Sequence, residues 1–293
     1  SFQGQKQLEF LALEHIHGLK EIEYTAFQEL TSLKVFYMNC AQHGMCSIQT
    51  LPAGTFNVSS LNAVTLRHFP KLNYIDEGTF HSNLRSLRLT DLNNFRLDTL
   101  TNEPFANLVN LKLLMVEQMN ISTGTFEKNV FQNQVMLELL WLQNNEIKQL
   151  PNGFFRNMKH LLTVSLAHNK FSEIPDNLFE GLATVEQIKL RSNAIQKITN
   201  QTFSHLPRLA RIDLARNNIT EIETGAFLYR YNGTGSSNRE ILAINLLGNP
   251  IWVNNTNTSV NNINDENRRI IGGIKWCRNT MLVDRGWLRP CNL

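Results

Sequence analysis

The side chains able to do chemistry are dispersed along the 293 residues rather than gathered into a catalytic grammar. A structural or catalytic zinc needs three or four ligands converging on one point. Cys40, His43 and Cys46 offer three close together, with no fourth nearby in sequence. The simpler chemistry for Cys40 and Cys46 is a disulfide pinching the short insertion between them, a closure worth about 2 kcal/mol by chain entropy. His15, His68 and His168 recur at one repeat position but in separate repeats, too far apart to share an ion. There is no Gly-rich phosphate loop, no His-Glu-x-x-His and no Gly-x-Ser-x-Gly. The expectation is a non-catalytic chain with no metal and no cofactor.

One further segment, Arg269-Ile270-Ile271-Gly272-Gly273, looks like the activation site of trypsin-like proteases. Only 20 residues follow Gly273, so no protease domain is carried after it, and the likeness is read as accidental. Modification chemistry is denser. Asn-x-Ser/Thr acceptors stand at Asn57, Asn120, Asn200, Asn218, Asn232, Asn254 and Asn257. With four cysteines, an even number, they point to an extracellular chain, secreted or on a cell surface. No secretory leader stands at residue 1, which on that reading was removed. The net charge of +3 is mild and lacks the clustered basic runs that nucleic acid or an anionic membrane would demand. No run approaches 18 consecutive apolar residues, so no membrane span is expected in this chain.

What remains is recognition chemistry, and the repeat positions it. Leu137-x-x-Leu140-x-Leu142-x-x-Asn145 recurs from Leu161, Val185 and Leu209 with a period of 24 residues. The register extends to strand starts at Leu8, Leu33, Leu61, Leu84 and Leu111 before this core and Ile241 after it, giving about ten coils. Spacings in the first half are irregular: 25, 28, 23, 27 and 26 residues. A second column, Phe2, Phe27, Phe56, Phe80, Phe105, Phe131, Phe155, Phe179 and Phe203, keeps step with the first. A coil cannot bury its own apolar edge, so leucines pack on leucines of the next coil while the phenylalanines fill the far side. Asn145, Asn169, Asn193 and Asn217 fall where the chain leaves the strand, and their amides are expected to satisfy buried backbone groups that would otherwise cost about 1 to 3 kcal/mol each. Ile16, Ala41, Phe69, Leu92 and Met119 occupy that position in the first five coils, so their turns must be satisfied differently.

Between the buried leucines, alternate strand residues must point outward. The central outward column reads Ala12, Tyr37, Thr65, Arg88, Met115, Trp141, Ser165, Lys189, Asp213 and Asn245. Leu113 and Leu139 flank Met115 and Trp141, so four large apolar side chains from two coils converge. Aromatic residues dominate the energetics of interfaces, which makes Trp141 the expected anchor, with Met115, Leu113, Leu139, Arg88 and Tyr37 around it. Lys189 and Arg191, with Arg211 and Arg216, form a basic group diluted by Asp213 and Glu186.

The full pattern from Leu161 to Leu182 resembles the typical class of extracellular leucine-rich-repeat proteins, among them Toll-like receptor ectodomains, Slit-type guidance proteins and variable lymphocyte receptors. The resemblance implies an α/β solenoid, a curved horseshoe with a parallel concave sheet and an irregular convex side, over residues 1–249. It implies recognition of a protein or microbial ligand through the concave face, as part of a receptor, an adhesion molecule or a secreted immune factor. The partners would be a protein ligand or co-receptor, with no nucleic acid, and homo- or hetero-oligomers are compatible. Two alternatives stand beside it: a binder of sulfated glycans or other polyanions, and a structural subunit of an extracellular assembly. Such arrays commonly close with a cysteine cap opening on Asn-Pro-Trp. Asn249-Pro250-Ile251-Trp252 resembles that opening but lacks the cysteines that follow it, so residues 250–293 read as an atypical capping region, with Cys277 paired to Cys291 and Trp252, Trp276 and Trp287 covering the last coil. Tyr229 to Glu240 and Asn254 to Asn267 read as solvated loops. Phe2 already stands in the phenylalanine column, so the natural chain is expected to continue upstream or a partner to cover this end.

Overall fold

Each Leu-x-x-Leu-x-Leu segment becomes one short strand, because alternation sends its leucines to one side and its intervening residues to the other. The computed structural model describes residues 2–16, 18–40, 46–92, 105–122, 131, 133–224, 226–227 and 243–251, and the backbone of 268–271, 274–278 and 287–290. The chain divides into two compact units, residues 1–146 with 157–160, and residues 147–156 with 161–293.

The first unit contains β1 (Phe10–Glu14), β2 (Val35–Asn39), β3 (Thr50–Leu51), β4 (Ala63–Arg67), β5 (Tyr74–Ile75), β6 (Ser86–Thr90), β7 (Leu113–Glu117) and β8 (Leu139–Trp141). Strands β1, β2, β4, β6, β7 and β8 pair in that order, all parallel, in the register the repeat dictates: Tyr37 opposite Thr65, Thr65 opposite Arg88, Arg88 opposite Met115, Met115 opposite Trp141. The dipeptide strands β3 and β5 pair with each other in a second, minor ladder.

The second unit contains β9 (Thr163–Ser165), β10 (Gln187–Lys189), β11 (Lys197–Ile198), β12 (Arg211–Asp213), β13 (Glu221–Ile222), β14 (Ala243–Asn245), β15 (Arg268–Ile271), β16 (Ile274–Arg278) and β17 (Trp287–Pro290). Here β9, β10, β12 and β14 are parallel neighbours, and β11 pairs with β13. Beyond β14 the direction changes. β17 pairs antiparallel to β14, β16 to β17, and β15 to β16. The return side of the coils is made of turns, and helix among the described residues is confined to residues 250–251. A return path of about a dozen residues carrying Pro151 or Pro175 leaves no room for the three or four turns a stable helix needs.

The phenylalanine column is a stacked spine within each unit. Phe56 lies 5.6 Å from both Phe27 and Phe80, and Phe105 lies 6.0 Å from Phe131. In the second unit Phe155, Phe179, Phe203 and Phe227 follow at 5.8, 5.9 and 6.1 Å. Phe227 belongs to the spine although it stands farther from the next strand start than the others do; its 24-residue spacing from Phe203 is the signal that carries it.

The asparagine ladder is built at the strand exits. Asn217 accepts from the Ile195 N–H at 3.1 Å and donates to the Leu190 and Leu214 carbonyls at 2.9 Å. Asn193 repeats this with Phe171 N–H, Leu166 and Leu190, and Asn169 accepts from Ile147 N–H. Asn249 continues the series with Ile219 N–H and Leu214, so this residue is a rung of the ladder as well as the start of the cap-like sequence. In the first unit Asn145 reaches back to Met119 N–H at 3.0 Å and the Val116 carbonyl at 2.9 Å, serving a coil that has Met119 in place of an asparagine. Phe69, Leu92 and Met119 fill the equivalent positions of their coils as buried apolar side chains, Ile16 is half-buried in the first, and Ala41 lies outside the described residues.

The residue before each rung turns the chain. His15, His68, Asp91, Gln118, Asn144, His168, Ser192 and Arg216 all have φ between 53 and 58°, and Gly248 has φ of 77°. That left-handed conformation is costly for most residues, yet it lets the N–H continue the ladder to the next coil: His168 to Arg191 at 2.8 Å, Ser192 to Ala215 at 2.8 Å, Arg216 to Leu247 at 2.7 Å. The shared position of His15, His68 and His168 is therefore a backbone turn. Among the described residues no group of three or more His, Cys, Asp or Glu side chains is placed to hold a metal.

Candidate functional site

The outward face of the first unit gathers six of the sequence-derived candidates. Leu113 is in register with Leu139, and Met115 with Trp141, so four half-buried apolar side chains occupy adjacent strands about 4.8 Å apart. Arg88 extends the Met115–Trp141 row by one strand, and Tyr37 lies in the same row beyond Thr65. Arg88 and Tyr37 are also half-buried. At the entry to these strands, charges cancel in pairs: Lys112 meets Glu138 at 2.6 Å, and Lys34 meets Glu9 at 2.6 Å.

The strand exits of the same face are polar. Glu117 is only 9% exposed, and one of its carboxylate oxygens is buried with no hydrogen-bond partner. Loss of solvent raises its pKa from the ordinary value, against the opposing pull of a hydrogen bond from Gln143 and the charge of Arg67. His68 bridges two coils, with Nδ1 2.9 Å from Asn39 Oδ1 and Nε2 3.3 Å from Asp91 Oδ2. Alternation along β7 places Glu117 in the outward series with Leu113 and Met115. Its position beside the apolar cluster was the available sign that it would lose its water.

The second unit presents a different face. Lys189 and Arg191 are half-buried, and Arg211 and Arg216 are exposed. Asp213 sits among them. Burial raises its pKa, opposed by a hydrogen bond from the Ala215 N–H at 3.1 Å and by the charges of Arg191, Lys189 and His168. Two residues of the expected outward column are closed off: Ser165 is 1% exposed and Asn245 2%. Asn245 is the register partner of Trp287 in the antiparallel β14–β17 pairing, and its side chain accepts from Leu247 N–H at 3.2 Å.

Cys40 and Cys46 are bonded, with Cα atoms 5.5 Å apart. Of the glycan acceptors, Asn57, Asn120, Asn200 and Asn218 are exposed and none occupies an outward strand column. Asn232, Asn254, Asn257, Cys291 and Trp252 lie outside the described residues, as do residues 229–240 and 254–267 that were expected to be solvated loops, and the side chains of Cys277, Trp276 and Trp287 are not described. A cavity of about 690 Å³ in the first unit is lined by Phe2, Leu13, Ile16, Leu19, Ile22 and Phe27 with Glu21, Glu23 and Glu29 at its edge. Its walls are the inner faces of the first coils.

Comparison with known proteins agrees with this architecture. The sequence pattern described as "Leucine rich repeat" matches residues 135–195 and 183–229, and that described as "BspA type Leucine rich repeat region (6 copies)" matches residues 1–138. The chain is a leucine-rich-repeat protein. Neither matching family is a catalytic one. No curated relative matches by sequence. Among solved structures, this leucine-rich-repeat chain is similar to the Drosophila Toll–Spätzle complex, with 17% identity and a TM-score of 0.61 over 85% of this chain and 34% of that one. It is also similar to the mouse RP105/MD-1 complex, with 19% identity and a TM-score of 0.60 over 82% and 42%. A third is an internalin from Listeria monocytogenes, with 17% identity and a TM-score of 0.54 over 83% and 62%. At these identities the likeness is one of fold. The chain spans less than two thirds of each of those proteins.

Proposed function

We propose that this leucine-rich-repeat chain is a non-catalytic extracellular recognition module that binds a protein ligand or co-receptor through the outward strand face of its first unit. The observation that carries the reading is the in-register cluster of Leu113, Leu139, Met115 and Trp141. Apolar side chains held on a rigid sheet lose no conformational freedom of the backbone when a partner covers them, which favours binding. Two of the similar structures are complexes of a repeat protein with another protein, Toll with Spätzle and RP105 with MD-1, which supports a protein as the partner class. The exposed acceptors Asn57, Asn120, Asn200 and Asn218 support a glycosylated, secreted or cell-surface chain whose sugars would leave the strand face open. Strands β15 to β17 and the Cys277–Cys291 pairing are read as a cap on the array.

The deciding experiment uses the purified chain against a panel of secreted and cell-surface proteins, with Trp141→Ala beside the wild type. Truncating a central interface tryptophan is expected to weaken the partner it binds by about thirtyfold or more, with little change in melting temperature. Unaltered affinity with a loss of several degrees would make Trp141 structural and the face wrong. Lys189, Arg191, Arg211 and Arg216 support a second reading, capture of a sulfated glycan, weakened by Asp213 in their midst. Steep salt dependence that survives Trp141→Ala would favour it.

A further inference from the structure

The apolar cluster of the first unit is bordered by cationic groups with no counter-ion among the described residues. β6 places Arg88 in the central outward row, and Arg85 stands just before that strand, exposed. Neighbouring coils neutralise their entry charges as Lys34–Glu9 and Lys112–Glu138. Arg85 and Arg88 make no ion pair among the described residues, and the register neighbours of Arg88 are Thr65 and Met115, both uncharged. Of the carboxylates on this face, Glu9 and Glu138 pair with lysines, Glu14 stands three strands away on β1, and neither Asp91 nor Glu117 serves the two arginines. Asp91 is engaged with His68. Glu117 is buried toward Arg67 and Gln143, and loss of solvent disfavours its charged form.

A guanidinium binds a carboxylate through two parallel hydrogen bonds, and the pair gains strength where apolar surface displaces water. Arg88, Met115 and Trp141 sit on consecutive strands, so the row from cation to anchor spans about 10 Å at about 4.8 Å per strand, close to the advance of about three residues of extended chain. Resting on the protein-recognition reading above, we infer that this face takes an extended acidic segment of the partner laid across the strands. An Asp or Glu carboxylate of that segment meets Arg88, with Arg85 beside it, and an aromatic or aliphatic side chain about three residues away covers Leu113, Met115, Leu139 and Trp141. A sulfated sugar would satisfy the arginines but leave the apolar cluster uncovered, so the combination selects a peptide.

The test is to pan a displayed random-peptide library on the purified chain at physiological salt, then measure recovered peptides by fluorescence anisotropy on wild type, Arg88→Glu and Trp141→Ala. Recovered sequences should pair an acidic residue with a Trp, Phe, Leu or Met at the stated spacing. Arg88→Glu should weaken them by about tenfold or more, and changing the peptide's acidic residue to Lys should restore binding to Arg88→Glu alone. Peptides that lose affinity on Trp141→Ala yet ignore Arg88→Glu, or that show no acidic preference, would overturn the carboxylate contact while leaving the apolar anchor intact. Peptides indifferent to both variants would overturn the site and the face together. Recovery of no peptide would overturn the extended-segment inference, with the folded-partner panel still judging the face. Circular dichroism melting of both variants separates these outcomes from misfolding.

Discussion

At the scale of single residues, the most consequential side chains of this protein are polar groups placed where water cannot reach. Asn217 serves one N–H and two carbonyls of two coils; Asn193 and Asn249 also donate to those carbonyls, so Asn217→Ala leaves the Ile195 N–H unpaired and takes one donor from each of Leu190 and Leu214. It is expected to destabilise by about 1 to 3 kcal/mol, read from urea unfolding. Glu117 works the other way. Its folded pKa is raised, so the folded protein holds that proton more tightly than the unfolded chain does. Stability from this group therefore rises as pH falls through the window opening upward from the ordinary value of 4.5, and is lost above it. Glu117→Gln is expected to be more stable than wild type at pH 7 by about 1 kcal/mol and to lose that advantage in acid, as thermal melts across pH would show. Asp213 is shifted in the same direction by burial, so the wild-type slope belongs to both groups and the variant should remove only part of it.

At the scale of the element, one coil is held to the next by a strand, a spine ring and a turn, and each can be tested separately. Phe179 is stacked between Phe155 and Phe203, so Phe179→Ala opens a cavity against two rings. The expected cost is about 3 to 5 kcal/mol by denaturant unfolding. Two glycines of the return path distinguish strain from collision. A Cβ on Gly54, at φ of 80°, would meet nothing within 4 Å, whereas one on Gly181, at φ of 93°, would lie 3.0 Å from the Arg156 backbone. Gly54→Ala should cost about 1 kcal/mol for its left-handed backbone alone, and Gly181→Ala measurably more, compared by midpoint in the same denaturant series.

At the scale of the molecule, the two faces differ in what they can hold: an apolar cluster with free arginines in the first unit, a basic group around Asp213 in the second. The glycan acceptors respect that arrangement. Asn120 and Asn218 follow the strand exit at equivalent repeat positions, and Asn57 follows a spine phenylalanine, so any sugar attached there would stand outside the outward columns. Protein from its natural source is expected to lose several glycan masses on enzymatic deglycosylation, read by intact mass, with unchanged affinity for the partner. An unglycosylated mass would contradict the extracellular reading. Lost affinity would place a sugar in the interface.

The repeat was legible in the sequence because one buried edge per coil forces the same residue types to recur at the same offsets. Leu140, Leu166 and Phe179 could be assigned to the core from spacing alone, and Met115 and Trp141 to the outward row, since alternation along a strand is a local property. Asn249 and Phe227 carried the same signal but were obscured by the long coil between them. What required the tertiary structure was everything set by neighbours distant in sequence. The burial of Glu117, the burial of Asn245, the bridging of Asn39 and Asp91 by His68, and the absence of a counter-ion for Arg88 among the described residues each depend on which coil lies alongside and what it brings within a few ångströms. Periodicity fixes which way a side chain points. Its solvation and its charge partners are decided only when the coils are stacked.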